Sequence, residues 1–241
     1  FHAWLERKPI QMAILATIAI LIGGVVQIVP TIMVKSNIPT IDAVKPYTPL
    51  ELEGRDIYIR EGCVGCHSQQ VRPFRSEVER YGPQSKAGEY VYDHPFLWGS
   101  KRTGPDLMRV GQKYNDNWHF NHMWDPQSTS PGSIMPGYKW LYDNVEMNYG
   151  DMEAKLKVMQ TLGVPYTDQE VANATKSMKE QGLRILENLK SDPDFVKSYE
   201  NSKKRAAADG EEFVPMDKRE ITAVIAYIQR LGTDIKVKTT K

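Results

Sequence analysis

Two cysteines and a histidine stand together in the stretch Gly62-Cys63-Val64-Gly65-Cys66-His67, and the 241-residue chain has no other cysteine. The spacing C-x-x-C-H is typical of c-type haem attachment. Two intervening residues bring the sulfurs of Cys63 and Cys66 onto one turn, where they can form thioethers with the two vinyl groups of a porphyrin. His67 then lies beneath the iron as an axial ligand. The motif therefore predicts one covalently bound haem c.

Three other interpretations of this motif stay open but fit the residues less well. A zinc site normally needs four protein ligands, and the adjacent Cys66 and His67 are poorly placed to bind one tetrahedral ion together. A thioredoxin-like redox pair is expected after a strand in a βαβ setting, whereas the segment before Cys63 is polar and helical in pattern. Any short motif also arises by chance. Here, however, the motif follows a predicted membrane anchor whose flanking charges place the motif outside the cytoplasm, as described below.

The second axial ligand is predicted from residue type and loop context. Met135 lies in Ser130-Pro131-Gly132-Ser133-Ile134-Met135-Pro136-Gly137-Tyr138, where flanking Pro and Gly residues can present its sulfur rigidly. A His/Met pair raises the reduction potential of the iron relative to bis-histidine coordination, which suits a carrier that feeds a strong oxidant. Met147 is a further candidate, whereas five others are interpreted as core or hydrogen-bonded structural residues: Met108, Met123, His94, His119 and His122.

An apolar run from Ile10 to Val34 contains no ionisable side chain. About 20 apolar residues suffice to cross the hydrocarbon layer as a helix, so residues 1–35 are predicted to form an N-terminal segment and a transmembrane anchor in contact with lipid. A signal peptide would have a shorter apolar core and a small-residue cleavage site. A buried core helix of this length without a charge would be unusual. Pro30 is expected to mark a kink or the end of the helix.

The charges that flank the apolar run predict its orientation. Arg7 and Lys8 precede it and Lys35 follows it, so the positive-inside rule places the N-terminus in the cytoplasm. The large domain is then expected in the periplasm, with the anchor in a bacterial inner membrane. Residues 36–49 contain three prolines and are predicted to be an extended linker. The chain begins at Phe1 rather than at a methionine, which leaves room for a longer natural N-terminus.

Composition and hydrophobic pattern predict an all-α fold without a nucleic-acid site. The chain has 31 basic and 30 acidic side chains, which leave no basic patch for nucleic acid. Residues 50–241 are predicted to form a haem domain with insertions at about 68–100 and 143–215. Helices are expected over Thr48–Glu61, Asp151–Leu162, Thr167–Lys190 with a break near Gly182, Asp192–Ala208, and from a capping box at Asp217–Glu220 to Gly232.

Several residues around the motif resemble class I cytochromes c. Gly54, Tyr58 and the stretch 62–67 are similar to the opening of that family, and Thr103-Gly104-Pro105-Asp106-Leu107 resembles its G-P-x-L segment. The C-terminal pattern with Tyr227, Ile228 and Leu231 resembles the family's last helix, which packs across the first. The resemblance implies that the Pro105 carbonyl accepts a hydrogen bond from His67 and thereby orients the ring.

A closer resemblance covers about Ile10 to Leu141. The stretches Ser68-Gln69-Gln70-Val71-Arg72-Pro73, Gly88-Glu89-Tyr90-Val91-Tyr92-Asp93-His94-Pro95 and Trp98-Gly99-Ser100-Lys101-Arg102-Thr103 are similar to the membrane-anchored monohaem cytochrome c subunit of the cbb(3)-type, or C-family, haem-copper oxidases. This resemblance implies an electron-transfer subunit without catalysis of its own. Its partners would be the large haem-copper subunit, which reduces O2 to water, and a dihaem cytochrome c subunit or a soluble cytochrome c donor.

The same resemblance implies further site residues. Family members carry a calcium ion near the contact with the large subunit, and Ser100 lies in the matching segment. Arg72, Arg102 and Trp140 are expected near the haem propionates. Surface salt bridges and packing are an almost equally good explanation of these three side chains.

Two alternative functions stay open. A free-standing, membrane-anchored cytochrome would shuttle electrons without a fixed complex. A haem-based gas or redox sensor would need a labile or open sixth position on the iron, and no stretch that resembles a signalling output domain follows the haem region. The insertion at 151–208 is expected to cover the domain surface or to contact another subunit.

Overall fold

The computed structural model describes residues 2–34 and 38–236. Its secondary structure is helical, with no strand in the described ranges, which confirms the all-α prediction. The chain divides into two compact units, Phe1–Ile41 and Asp42–Lys241. Residues 35–37, where the predicted anchor ends and the predicted linker begins, lie outside the described residues, as do 237–241.

The helices are α1 His2–Glu6, α2 Pro9–Met33, α3 Pro49–Arg60, α4 Arg75–Tyr81, α5 Asp116–Trp124, α6 Pro126–Thr129, α7 Met152–Thr161, α8 Asp168–Ala172, α9 Ala174–Leu189, α10 Pro193–Asp209 and α11 Glu220–Arg230.

The first unit is dominated by the apolar helix α2. It begins at Pro9, which suits the first turn because that position needs no backbone N–H. Pro30 lies inside the helix, which continues to Met33. Its 25 residues correspond to about 37 Å at the rise of an α-helix, which exceeds the roughly 30 Å of a bilayer core. The apolar side chains of α2 that the structure describes are exposed, and the stretch Pro9–Thr31 is long and apolar enough to cross a membrane.

The second unit is built on the crossing of α3 with α11. Helix α3 begins with a capping box, in which the Thr48 hydroxyl accepts from the Glu51 N–H and the Glu51 carboxylate accepts from the Thr48 N–H. The two helices touch at Gly54, where an added Cβ would lie 1.8 Å from the Ala223 carbonyl oxygen. Only glycine therefore allows this close approach, and it gives α3 a fixed position on α11.

Helix α11 differs from the sequence prediction at its start. It begins at Glu220 after Arg219, and the predicted capping box at Asp217–Glu220 is wrong because Asp217 belongs to a 3-10 turn, Met216–Lys218. Arg219 instead donates hydrogen bonds to the carbonyl of Val214, five residues earlier, and to the carbonyl of Tyr142, 77 residues earlier. The predicted apolar face is confirmed, because its side chains are at most 3% exposed: Ile221, Val224, Ile225, Ile228 and Leu231.

The predicted long helix from Thr167 is divided at Asn173 rather than near Gly182. Helix α8 ends at Ala172, Asn173 leaves helical geometry, and α9 runs without interruption through Gly182. Gly182 is needed for another reason, since a Cβ there would lie 2.6 Å from the Asp217 carbonyl oxygen. The glycine marks a close helix–backbone contact, and the prediction of a break at that residue is wrong.

The segment between Asp143 and Val214 packs on α3, α5 and α11. Helices α7 and α9 contact α3, and α9 also contacts α5 and α11. Leu156, Met178 and Leu189 have no exposed surface. The helical pair therefore covers the outer side of the α3–α11 crossing and extends its hydrophobic core.

Candidate functional site

A cavity of about 500 Å³ lies between the end of α3, helix α5 and the loop that follows α6. This volume is within the range of about 300 to 1,000 Å³ that is usual for cofactor and ligand pockets. The lining is mostly apolar. It brings together five of the residues predicted from the sequence: Cys63, Cys66, His67, Pro105 and Met135.

The two cysteines lie in a tight turn directly after α3. Gly62, with φ of 72°, leads into the 3-10 turn Cys63–Gly65. The His67 N–H donates to the Cys63 carbonyl at 2.9 Å. The backbone therefore closes on itself here and presents both sulfurs and the imidazole to one cavity.

Cys63 is half-buried and Cys66 is exposed, and the two form no disulfide with each other. Burial raises the pKa of the Cys63 thiol to about 12, with the negative charge of Glu61 as a smaller cause. The thiol is therefore protonated at neutral pH. A redox-active pair needs a lowered pKa in its attacking cysteine, so this environment argues against thioredoxin-like chemistry.

The imidazole of His67 is held from one side by a short segment. Its Nδ1 lies 2.8 Å from the Pro105 carbonyl oxygen. A carbonyl can only accept, so the Nδ1–H donates and the neutral ring leaves Nε2 free as a metal ligand. Burial lowers the pKa of His67, which favours this neutral form.

Gly104 fixes the plane against which the His67 ring lies. An added Cβ at Gly104 would lie 2.2 Å from Cε1 and 2.8 Å from Nε2 of that ring. No side chain fits between this backbone and the imidazole. The G-P pair of the sequence therefore combines a steric wall from Gly104 with a hydrogen-bond acceptor from Pro105.

Met135 reaches the same cavity from a separate loop. The Met135 N–H donates to the Ser133 hydroxyl at 3.2 Å, and the Tyr138 N–H donates to the Met123 carbonyl at 2.8 Å. Gly137 packs closely against the Trp124 carbonyl, where a Cβ would lie 2.5 Å away. The loop is therefore tied to the end of α5 on the C-terminal side of Met135, and the thioether is half-buried.

Helix α5 supplies a wall of the cavity that the sequence analysis missed. Trp118, His119, His122 and Met123 all line it. Trp118 stacks on His122 at 4.4 Å between ring centroids, and His122 Nδ1 lies 2.6 Å from the Thr129 hydroxyl. The pairs Trp118/His119 and His122/Met123 are four residues apart, which places them on one face of a helix. This spacing, just before the Met135 loop, could have identified them as part of the site.

The His119 side chain is the most buried polar group of this wall, at 2% exposure. Burial lowers its pKa to about 4, while the charge of Asp116 opposes that shift. His119 is therefore neutral at physiological pH and adds no charge to the cavity wall.

Four other residues predicted to act at the site do not line the cavity. Arg72 and Arg102 both form ion pairs with Glu77, and Trp140 Nε1 donates to the Glu61 carboxylate at 2.8 Å. Ser100 is exposed. The described part of the chain contains no group of three or more His, Cys, Asp or Glu residues able to hold a metal ion. Propionate contacts and calcium binding therefore stay predictions.

The donor set of the cavity fits a haem. Two thiols one turn apart, an imidazole with a free Nε2 and a thioether all face one mostly apolar space. Each is a group that c-type cytochromes use to hold the porphyrin or its iron. Fold and site together therefore define a helical single-haem electron carrier with an apolar N-terminal helix.

Comparison with known families agrees with this class. The family model FixO, described as "Cytochrome C oxidase, mono-heme subunit/FixO", matches residues 2–235. The chain therefore belongs to the family of mono-haem subunits of cytochrome c oxidase, as the resemblance of its motifs to the cbb(3)-type subunit indicated. Among the curated proteins compared with the chain, none matches it.

Proposed function

We propose that this chain is the non-catalytic electron-transfer subunit of a cbb(3)-type oxidase, and that it relays electrons through one covalent haem c to the oxygen-reducing subunit. The observation that carries the proposal is the convergence of Cys63, Cys66, His67 and Met135 on one cavity. The family match supports it, because it assigns one haem and membership of an oxidase complex.

Each residue of the cavity has a distinct part in holding the cofactor. Cys63 and Cys66 would bind it through thioether bonds, while His67 Nε2 and the Met135 sulfur would bind its iron. When bound, the haem supplies reversible one-electron chemistry. The protein fixes the His67 ring through Gly104 and the Pro105 carbonyl. Helix α5 supplies a further wall of the cavity.

The proposed electron path involves two kinds of partner. A dihaem cytochrome c subunit or a soluble cytochrome c would donate the electron, and the large haem-copper subunit would receive it. Cys66 lines the cavity and is exposed, and we propose that the cofactor edge held there approaches a partner's redox centre. Ser100 is exposed, and we propose that a calcium ion bound there takes its remaining ligands from the large subunit.

The proposed location follows from α2 and its flanking charges. The helix would cross a bacterial inner membrane once, with Arg7 and Lys8 on the cytoplasmic side. The haem domain would then lie in the periplasm. Labelling of a cysteine introduced at an exposed site such as Lys157, by a membrane-impermeant reagent on intact spheroplasts, tests this orientation, and a domain protected until lysis contradicts it.

The experiment that tests the function is extraction in mild detergent followed by haem staining after denaturing electrophoresis. We expect a haem-stained band of this chain together with a large, polytopic, haem-bearing protein. A haem-stained chain that always runs alone favours the free-standing shuttle. Rapid carbon monoxide binding by the wild-type ferrous protein favours the sensor, since a His67/Met135 pair leaves no open position on the iron.

A further inference from the structure

Two short segments meet behind the His67 ring. The Gly104 N–H donates to the Cys66 carbonyl at 2.9 Å, and the Leu107 N–H donates to the Ser68 carbonyl at 2.9 Å. The bond between His67 Nδ1 and the Pro105 carbonyl lies between these two. The position of that carbonyl therefore depends on how firmly the two segments are joined on both sides of it.

The carboxylate of Asp106 joins the two segments next to Pro105. Its side chain has no exposed surface. Oδ2 accepts from the Ser68 hydroxyl at 2.7 Å and from the Gln70 N–H at 2.8 Å, while Oδ1 accepts from the Met108 N–H at 2.9 Å. One buried group thus satisfies three donors, two from the segment after His67 and one from its own segment.

Arg102 completes this arrangement. Its Nε donates to the Ser68 hydroxyl at 2.7 Å and its Nη2 donates to the Gln70 carbonyl at 2.7 Å. The guanidinium also lies 3.5 Å from Asp106 Oδ2. A buried carboxylate without a nearby cation would be costly. Arg102, which also pairs with Glu77, supplies a cation near Asp106 and bonds to the same two residues, Ser68 and Gln70.

We propose that Asp106, with Ser68 and Arg102, is a positioning group that holds the Pro105 carbonyl against His67 and thereby lowers the reduction potential of the haem. The inference rests on the proposed haem attachment. A firm hydrogen bond to the Nδ1–H makes the imidazole a more basic ligand. A more basic ligand stabilises ferric over ferrous iron, so loosening the Pro105 carbonyl raises the potential.

The first test uses a change that alters no charge. Ser68→Ala in the full, haem-loaded chain removes one donor to Asp106 and one acceptor from Arg102. We expect a higher reduction potential, and at least tenfold faster hydrogen exchange of the His67 Nδ1 proton followed by NMR of the paramagnetically shifted signal. Ser85→Ala is the matched control, because the Ser85 hydroxyl accepts from the Val71 N–H and is not one of the three donors to Asp106.

The second test separates positioning from charge. Asp106→Asn and Asp106→Leu remove the same negative charge, but asparagine keeps one acceptor oxygen and leucine keeps none. A purely electrostatic effect raises the potential equally in both variants. A positioning effect raises the reduction potential more in Asp106→Leu than in Asp106→Asn. A tenfold change in the ratio of ferric to ferrous haem corresponds to about 59 mV.

The outcomes distinguish failure of this inference from failure of the proposed function. Variants that stain for haem but keep the wild-type potential and proton exchange overturn the positioning role and leave the haem assignment intact. Equal shifts in the two Asp106 variants, with Ser68→Ala unchanged, also overturn it. A wild-type chain without covalent haem overturns the proposed function itself.

Discussion

The close contact between Gly104 and the His67 ring leads to the most demanding prediction about the site. In Gly104→Ala, the new Cβ would lie 2.2 Å from the His67 ring, and ordinary contact begins at 3.4 Å. The ring must therefore retreat by about 1.2 Å, away from the segment that carries the Pro105 carbonyl. The hydrogen bond to that carbonyl, now 2.8 Å long, then passes beyond hydrogen-bond range.

The cost of this change has two parts. Overpacking of a close contact typically costs about 1–3 kcal/mol, and a lost hydrogen bond costs about 0.5–1.5 kcal/mol. We therefore expect Gly104→Ala to lower the free energy of unfolding by about 2–4 kcal/mol. We also expect the sulfur-to-iron charge-transfer band of the Met135 ligand to weaken, because Nε2 moves with the ring.

The assay is denaturant unfolding of the haem-loaded chain, with absorption spectra of the same samples. Gly65→Ala is the matched control, since it lies in the same motif and a Cβ there has nothing within 4 Å. We expect the control to stay within about 0.5 kcal/mol of the wild type. If the two variants have equal stability and equal spectra, the wall at Gly104 does not hold the His67 ring.

Three further predictions concern the rest of the domain. Gly54→Ala should lower the free energy of unfolding by about 3 kcal/mol or more, because its Cβ would lie 1.8 Å from the Ala223 carbonyl, and unchanged denaturant stability would contradict the α3–α11 crossing. Met135→Leu should keep covalent haem, lower the potential and bind carbon monoxide in the ferrous state; a variant that still excludes carbon monoxide would mean that another ligand is used. Because the pKa of His119 is about 4 in the folded state and ordinarily 6.5, the unfolded state binds more protons between these two pH values. The contribution of His119 to stability should therefore be fully present above pH 6.5 and be lost towards pH 4, so that the fall in stability is smaller in His119→Gln by roughly 3 kcal/mol.

Features that depend on neighbouring residues were predictable from the sequence. The capping box at Thr48 and Glu51 and the uncharged run of α2 each rest on interactions within a few residues. The C-x-x-C-H motif is equally local, because one turn brings Cys63 and His67 together. Local chemistry of this kind is visible in a sequence without knowledge of the fold.

Features that depend on distant contacts were not predictable in the same way. Gly182 was interpreted as a helix break, but its function is to admit the Asp217 carbonyl from another part of the chain. Asp217 itself matched a capping-box pattern, yet the chain turns there into a 3-10 segment held by Arg219. In both cases a tertiary contact overrides a local signal.

The cavity wall of α5 shows the same limit at the site. The sequence identified His119 and His122 as structural histidines; their spacing marks one face of α5, but only the fold brings that face to the cavity that His67 lines. The positioning contacts of Asp106 and Ser68 likewise join residues 38 positions apart. Such pairs become visible only when the fold brings the two segments together.

The central claim, one haem held by both cysteines and the adjacent histidine, is tested most directly by the intact mass of the denatured chain. The chain should be made in a host that matures c-type cytochromes, beside a Cys63→Ala/Cys66→Ala variant. We predict that the wild type keeps the added mass of one macrocycle under denaturing conditions and that the variant loses it. A wild-type polypeptide with only its peptide mass, or two bound macrocycles, would contradict the account.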